Sequence, residues 1–223
     1  MKAFVVDLDS SENQSILKPI ARSFNNQAHQ INEAAEKIHE LIKNARYSND
    51  NIVLKRNEIK EAFFSPFKPQ LKNAQVFLSH SHADRNKALE VKDYLESQTK
   101  RKVFIDSLFW DYKDDVLNKL ARYDDISKIE DAFTLILRES LQDMIEKCPY
   151  FVFLQSKNSV SNQGLSQITY SVWIYEELRI AHSISESRPI PMMESMQVFH
   201  DISPFLESFE TITLKKLSQQ INS

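Results

Sequence analysis

Glu177 is the residue of this chain whose position most strongly suggests chemistry. At about 100° of rotation per residue, a helix over 171–184 gathers its apolar side chains on one side, and Glu177 falls in the middle of that side. Trp173 lies one turn earlier on the same face, so the carboxyl is predicted to lie beside an indole and not in open water. The same rotation puts Glu176 and Arg179 on the opposite, polar side.

Burial of an unpaired carboxylate is costly, and proteins commonly tolerate that cost where the group works. The pattern therefore indicates a catalytic carboxylate at Glu177. Two structural alternatives remain open at this point. The helix can be rotated so that Glu177 reaches the edge of its apolar stripe, or Glu177 can form an ion pair with an arginine.

Composition limits the classes of function. The chain has 223 residues, 42% of them hydrophobic, and a net charge of −3, which fits an α/β domain plus an extension. Because the chain has no cationic excess, nucleic acid and membrane surfaces are disfavoured as partners. The apolar run over 3–6 is too short for a signal-peptide core, and Cys148 alone forms no internal disulfide, so a cytoplasmic location is expected.

Gly164 is the only glycine in the chain. Backbones that wrap phosphates closely need glycines at several fixed offsets, as in the Rossmann fingerprint and the P-loop. Both motifs are therefore excluded, and any bound nucleotide must be held largely by side chains.

The apolar spacing divides the chain into two parts. Residues 1–70 are predicted to be a helical N-terminal extension and linker, with a helix over 27–46, a second helix over 57–64 and a proline-containing linker over 65–69. The first helix has a short heptad seam that packs onto the protein or onto a second copy. The seam consists of Ala28, Ile31, Ala35, Ile38, Ile42 and Ala45. Residues 71–223 alternate strands with helices; the predicted strands are 76–78, 103–105, 150–154, 190–193 and 211–214, and the predicted helices are 86–96, 133–147 and the one that carries Glu177.

This alternation predicts an α/β fold with a parallel sheet covered on both faces. In a flavodoxin-like order the first and third strands are neighbours, and ligands bind at their carboxyl ends. The polar loop over 79–84 follows the first strand, and the helix that carries Glu177 follows the third. Both are therefore expected at one crevice.

Four segments in this order resemble the Toll/interleukin-1 receptor (TIR) domain, most closely its bacterial members. They are VFLSHS at 76–81 followed by Asp84, VFID at 103–106, YFVFL at 150–154, and the Ser-x-Trp-x-x-x-Glu-Leu motif at 171–178. The resemblance covers about 75–213. It implies a flavodoxin-like five-stranded parallel sheet, here with an N-terminal helical extension.

The resemblance also implies an activity, which is cleavage of the bond between nicotinamide and ribose in NAD. Its catalytic glutamate maps to Glu177, with Trp173 as an apolar wall and Ser79, His80 and Ser81 as substrate contacts. Asp106, which opens the loop after the second strand, is expected to cover the crevice.

Nicotinamide leaves as a neutral base, so the reaction needs no general acid and no cofactor beyond NAD itself as substrate. One carboxylate suffices to stabilise the ribosyl cation. Hydrolysis and cyclisation of the ADP-ribose product both remain open.

The resemblance further implies nucleotide signalling or NAD depletion in antiviral (anti-phage) defence, with activation through self-association or a partner protein. Two insertions, over 107–131 and 155–170, depart from the family pattern beside the expected crevice. The alternatives are a non-enzymatic TIR interaction module and an enzyme like the nucleoside deoxyribosyltransferases.

Structural roles, and not catalysis or metal binding, are predicted for several other polar residues. His80 and His82 lack a third ligand at suitable spacing, so no metal site is predicted. Asp84 is interpreted first as a cap of the helix that follows it.

Overall fold

The structure is a computed structural model that describes ten segments of the chain. The described residues are 1–18, 28–44, 46–48, 51–53, 56–64, 73–105, 107–122, 127–163, 166–187 and 200–223. They belong to two compact units. The sheet unit comprises Met1–Ala21, Asn73–Ser107 and Leu141–Ser223, and the helical unit comprises Arg22–Lys72 and Leu108–Ser140.

Strands and helices alternate through the described segments. The strands are β1 (Lys2–Asp7), β2 (Arg46–Ser48), β3 (Asn51–Val53), β4 (Ala74–His80), β5 (Lys102–Ile105), β6 (Tyr150–Gln155), β7 (Ser161–Gln163), β8 (Ser166–Thr169), β9 (His200–Asp201) and β10 (Glu210–Thr211). The helices are α1 (Ser11–Ile16), α2 (Ala28–Lys43), α3 (Arg56–Phe64), α4 (Arg85–Thr99), α5 (Ser107–Leu120), α6 (Ser127–Lys147), α7 (Val172–Ser185), α8 (Ser203–Ser208) and α9 (Leu214–Asn222), and a 3-10 turn covers His82–Asp84.

The sheet unit is built on a five-stranded sheet in the order β10-β1-β6-β4-β5, in which all neighbouring strands are parallel. The prediction of an α/β fold with a flavodoxin-like parallel sheet is therefore confirmed. Counted from β4, the strands β5, β4 and β6 occupy the positions 2-1-3 of the flavodoxin-like order. Position 4 is taken by β1, which comes from the start of the sequence, and β10 is the outer strand beside it.

β1 differs from the prediction of a helical extension over 1–70. It pairs with β6 along its whole length, from Lys2 opposite Tyr150 to Asp7 opposite Gln155, and Phe4, Val5 and Val6 are buried. A four-residue apolar run has no periodicity that separates an interior strand from a loop, so the sequence pattern missed it. The predicted fourth strand over 190–193 and the linker over 65–69 lie outside the described residues, and the boundary at residue 70 stays a prediction.

Most other elements lie where the apolar spacing places them, but the bounds of the predicted fifth strand over 211–214 are wrong. That strand is Glu210–Thr211, and Leu214 already begins α9. The predicted helix over 133–147 begins earlier, at Ser127. The insertion predicted over 107–131 contains helix α5, and the extension over 155–170 contains the antiparallel hairpin β7–β8, to which β9 adds a third strand.

A row of phenylalanines crosses the centre of the sheet. Phe104, Phe77 and Phe151 are in register on neighbouring strands, with ring centroids 5.8 and 5.7 Å apart. All three are buried. Such continuous apolar strands are typical of parallel sheets that are covered on both faces.

In the helical unit, α2 and α3 pack against each other. The seam predicted on α2 is confirmed at Ala35, Ile38 and Ile42, which are buried within the chain, together with Ile59 on α3. The structure does not describe the side chains at the other predicted seam positions, which are Ala28, Ile31 and Ala45. No helix among the described segments is long and apolar enough to cross a membrane.

Replacement of Phe4 tests whether β1 belongs to the core. Phe4 is 1% exposed and stacks on Tyr150, so Phe4→Ala is expected to lower the free energy of unfolding by about 3–5 kcal/mol in chemical denaturation. Tyr170→Ala is the control, because Tyr170 is 57% exposed, and it is expected to change this value by less than about 0.5 kcal/mol. Equal effects of the two changes would mean that β1 is a separable arm.

Candidate functional site

The candidate site lies at the carboxyl ends of the adjacent strands β1, β6 and β4. After β4, the next strand of the sheet along the chain, β5, lies on one side of β4, and the one after it, β6, lies on the other side. The winding direction therefore switches between β4 and β6. In doubly wound sheets, ligands bind at this switch point.

Ser79 and His80 were predicted to begin the loop after β4. They are instead the last two residues of the strand. They lie opposite Phe153 and Leu154 of β6 and are 0% and 3% exposed. The pairing with β6 continues past Leu78, which extends the strand. Because successive strand residues point to opposite faces, only one of the two side chains faces α7.

Asp84 joins the loops that follow β4 and β6. Its carboxylate accepts hydrogen bonds from Ser156 Oγ and, at 2.8 Å, from Asn158 Nδ2, and the residue is 4% exposed. Asp84 occupies the N-cap position of α4, but its side chain makes no capping hydrogen bond. The interpretation of Asp84 as a helix cap is therefore wrong for its side chain, which instead ties the two sides of the switch point together.

Asp9 makes a similar connection after β1. Its Oδ2 accepts a hydrogen bond from the backbone N–H of Lys157 at 3.0 Å, and its Oδ1 lies 3.3 Å from Lys87 Nζ. These contacts lower the pKa of the Asp9 carboxyl below its usual value, and the hydrogen bond from the Lys157 backbone contributes most. The loop after β6 is thus bonded on one side to Asp84 and on the other to Asp9.

Glu177 is completely buried on α7, with 0% exposure, and Leu178, Ile180 and Ala181 of the same helix are buried as well. Ser171 is the N-cap of the helix, and its hydroxyl accepts a hydrogen bond from the Ile174 N–H at 3.3 Å. The predicted burial of Glu177 is confirmed, and a rotated helix that releases it to solvent is excluded.

α7 contacts β1 and β4 of the sheet, and it also contacts β8 and α8. The helix is therefore covered from more than one direction. Trp173, one turn before Glu177, is half-buried.

Glu176 and Arg179 were predicted on the polar side of the helix, and the structure corrects this placement. Glu176 is 1% exposed and Arg179 is 4% exposed. Arg179 donates to Glu176 Oε2 from Nη2 at 2.6 Å and from Nε at 3.2 Å. α7 also packs against β8 and α8, so more than its apolar face is covered, and apolar spacing alone does not reveal this. Opposite charges three residues apart were the available signal.

Aromatic and histidine side chains form an outer layer on α7 that the sequence reasoning missed. The ring of Tyr175 stacks on His200, with centroids 4.5 Å apart, and lies 5.6 Å from the ring of Phe205. His182 Nδ1 lies 2.9 Å from Ser208 Oγ. Because β9 and α8 supply these partners from a distant part of the sequence, helical periodicity did not indicate them.

Ser81 and His82, which follow β4, are less buried than Ser79 and His80: Ser81 is half-buried and His82 is exposed. Asp106, the residue predicted to cover the crevice, is outside the described residues. Within the segments that the structure describes, no group of three or more histidine, cysteine, aspartate or glutamate residues is arranged to hold a metal ion.

The arrangement puts a buried carboxylate on a helix that packs on β1 and β4, the two neighbours of β6. A buried acidic side chain interacts strongly with positive charge that develops nearby, because little water screens it. The comparisons of this chain with protein-family models, with curated proteins and with solved structures found no match.

Removal of the Asp84 carboxylate tests the connection between the two loops. Asp84→Ala leaves the donors of Ser156 and Asn158 without this acceptor, so the free energy of unfolding is expected to fall by about 1–3 kcal/mol. Asp114→Ala is the control: its carboxylate is 66% exposed and pairs with Lys113, and less than about 1 kcal/mol is expected. A loss at Asp84 no larger than at Asp114 contradicts the connection.

Cys148 is expected to be chemically inert in the folded protein. Burial raises the pKa of its thiol to about 12, so almost no thiolate is present at neutral pH. A thiol reagent such as Ellman's reagent at pH 8 is expected to label Cys148 only after denaturant is added. Rapid labelling of the native protein would contradict the burial.

Proposed function

We propose that this chain is a TIR-like enzyme that cleaves the nicotinamide–ribose bond of NAD, with Glu177 as its catalytic residue. The observation that carries the proposal is the complete burial of Glu177 on a helix that packs against β1 and β4. The sheet order supports it, because the switch point between β4 and β6 lies at the strand ends where such folds bind ligands.

In this mechanism the C–N glycosidic bond breaks and its electron pair leaves with nicotinamide. The pyridinium nitrogen of NAD already bears a positive charge, so the leaving group departs neutral. The ribose carbon becomes cationic, and the carboxylate of Glu177 stabilises that charge and binds the ribose hydroxyls. Water then adds to the cation, or another group of the same ADP-ribose adds and closes a ring.

The neighbouring residues have binding roles in this proposal. Trp173 forms an apolar wall beside the ribose. Ser81 contacts the substrate from the end of β4, together with whichever of Ser79 and His80 faces α7. Asp106 covers the crevice. Asp84 and Asp9 hold the loop after β6 in place and touch no substrate.

The complete burial of Glu177 also suggests how the activity is controlled. A carboxylate with 0% exposure meets NAD only after the helix or its surrounding loops move. We propose that self-association or a partner protein drives this opening, in a cytoplasmic antiviral response that signals through a nucleotide product or depletes NAD.

The same burial favours a second candidate, a TIR-like interaction module in which Glu177 is structural. Buried charged groups inside α7 also include the Glu176–Arg179 ion pair, which needs no substrate to explain it. In this case the chain assembles with other proteins and leaves NAD intact.

Incubation with NAD tests the enzymatic proposal. Wild-type protein at high concentration is expected to release nicotinamide, measured by chromatography, and Glu177→Gln is expected to lower the rate at least about 100-fold because it keeps the shape and removes the charge. Glu207→Gln is the matched control: Glu207 is exposed on α8, and its replacement is expected to leave the rate unchanged.

Thermal unfolding of both variants verifies that each is folded. Activity that survives Glu177→Gln contradicts the catalytic role. Base release from a deoxynucleoside instead of NAD identifies the deoxyribosyltransferase alternative. A protein that self-associates but leaves both substrates intact supports the interaction module.

A further inference from the structure

The helical unit contains a groove between α2 and α3 with a volume of about 850 Å³. Leu41 of α2 and Ala62 of α3 supply apolar surface to its lining. Ala62 is buried and Leu41 is half-buried. Volumes of roughly 300–1,000 Å³ are typical of sites that bind a ligand or the side chains of a docked peptide.

Exposed carboxylates line both walls of this groove. Glu36 and Glu40 come from α2, and Glu58 and Glu61 come from α3. Among the described residues that line the groove, these four carboxylates face a single cationic side chain, that of Lys37. Residues three or four apart share a helix face, so each pair of glutamates points the same way.

Like charges at this spacing destabilise an isolated helix by a few tenths of a kcal/mol. Glu36 and Glu40 stand four residues apart, so α2 places two carboxylates beside an apolar floor at a small cost to its own stability. A positively charged occupant reverses that cost.

We propose that this groove is a docking surface for a cationic amphipathic helix of a partner protein. An apolar stripe at i, i+3, i+4 and i+7 fits the floor, and lysine or arginine residues on both flanks of the stripe face the glutamate walls. This inference is independent of the proposed enzymatic function.

A second copy of the chain is a poorer occupant. Lys215 and Lys216 are exposed on α9, yet the apolar residues of that helix, Leu214 and Leu217, are buried in its own sheet unit. α9 thus offers cations without an apolar stripe.

The test uses the full-length protein and a fluorescein-labelled peptide of leucine and lysine, about 18 residues long or roughly five helical turns. Its leucines follow the i, i+3, i+4, i+7 spacing. Fluorescence anisotropy is expected to show saturable binding that weakens several-fold when salt rises from about 0.05 to 0.3 M, because salt screens the exposed carboxylates. A peptide of the same composition, scrambled to remove the stripe, is expected to bind at least about tenfold more weakly.

The double variant E36Q/E40Q removes two carboxylates from the groove and is expected to weaken binding at least about tenfold. The double variant E207Q/E210Q is the matched control, because it removes the same net charge from exposed positions of the sheet unit. It is expected to change the affinity less than about twofold.

Three results would overturn the proposal. They are equal weakening by the two double variants, equal binding of the scrambled peptide, and no saturation up to about 1 mM peptide. A fourth contrary result can come from light scattering after size exclusion. If the wild-type protein self-associates and E36Q/E40Q abolishes this association, the occupant is a second copy of the chain and not a partner helix.

Discussion

The parallel pairing of β1 with β6 is the constraint on which the rest of the sheet unit depends. β10 has β1 as its neighbour in the sheet, so it is held in the fold through β1. The same pairing fixes Asp9 beside the loop after β6. It also places Asn13, whose side chain donates to the Asp7 carbonyl at 2.7 Å and accepts from the Leu214 N–H at 2.9 Å. A single interior strand thus positions one edge of the sheet, the start of α9 and one side of the candidate site.

The candidate site is held by charges that are buried or fixed by hydrogen bonds. Asp84 is satisfied by two donors from the loop after β6, and Glu176 is satisfied by Arg179. Such paired groups are costly to break and so hold their loops and helix in one arrangement. Glu177 is buried on a helix that contacts β1, β4, β8 and α8, so its environment is a property of the whole sheet unit and not of α7 alone.

Local patterns predicted what depends on local sequence. The apolar runs at β4, β5 and β6 and the spacing of α4 and α7 were sufficient to predict a parallel sheet, and the helical wheel predicted the burial of Glu177. The pairing partner of Ala3–Val6 depends on residues near position 150, and the contacts of α7 with β8 and α8 involve other parts of the chain. The hydrogen bonds that Asp84 accepts from Ser156 and Asn158 also join distant parts of the chain. None of these contacts leaves a periodic signal, so sequence reasoning missed them.

The order of the strands has a consequence for biosynthesis. Lys2 pairs with Tyr150, a separation of 148 residues (150 − 2), and Glu210 pairs with Phe4 from still further along the chain. Contacts between such distant residues form slowly, because the loop between them must close first. During translation the apolar segment Phe4–Val6 therefore emerges from the ribosome long before either partner strand exists. Until then this segment has neither of its two neighbours in the sheet, and the sheet reaches its final width only after β10 has been made.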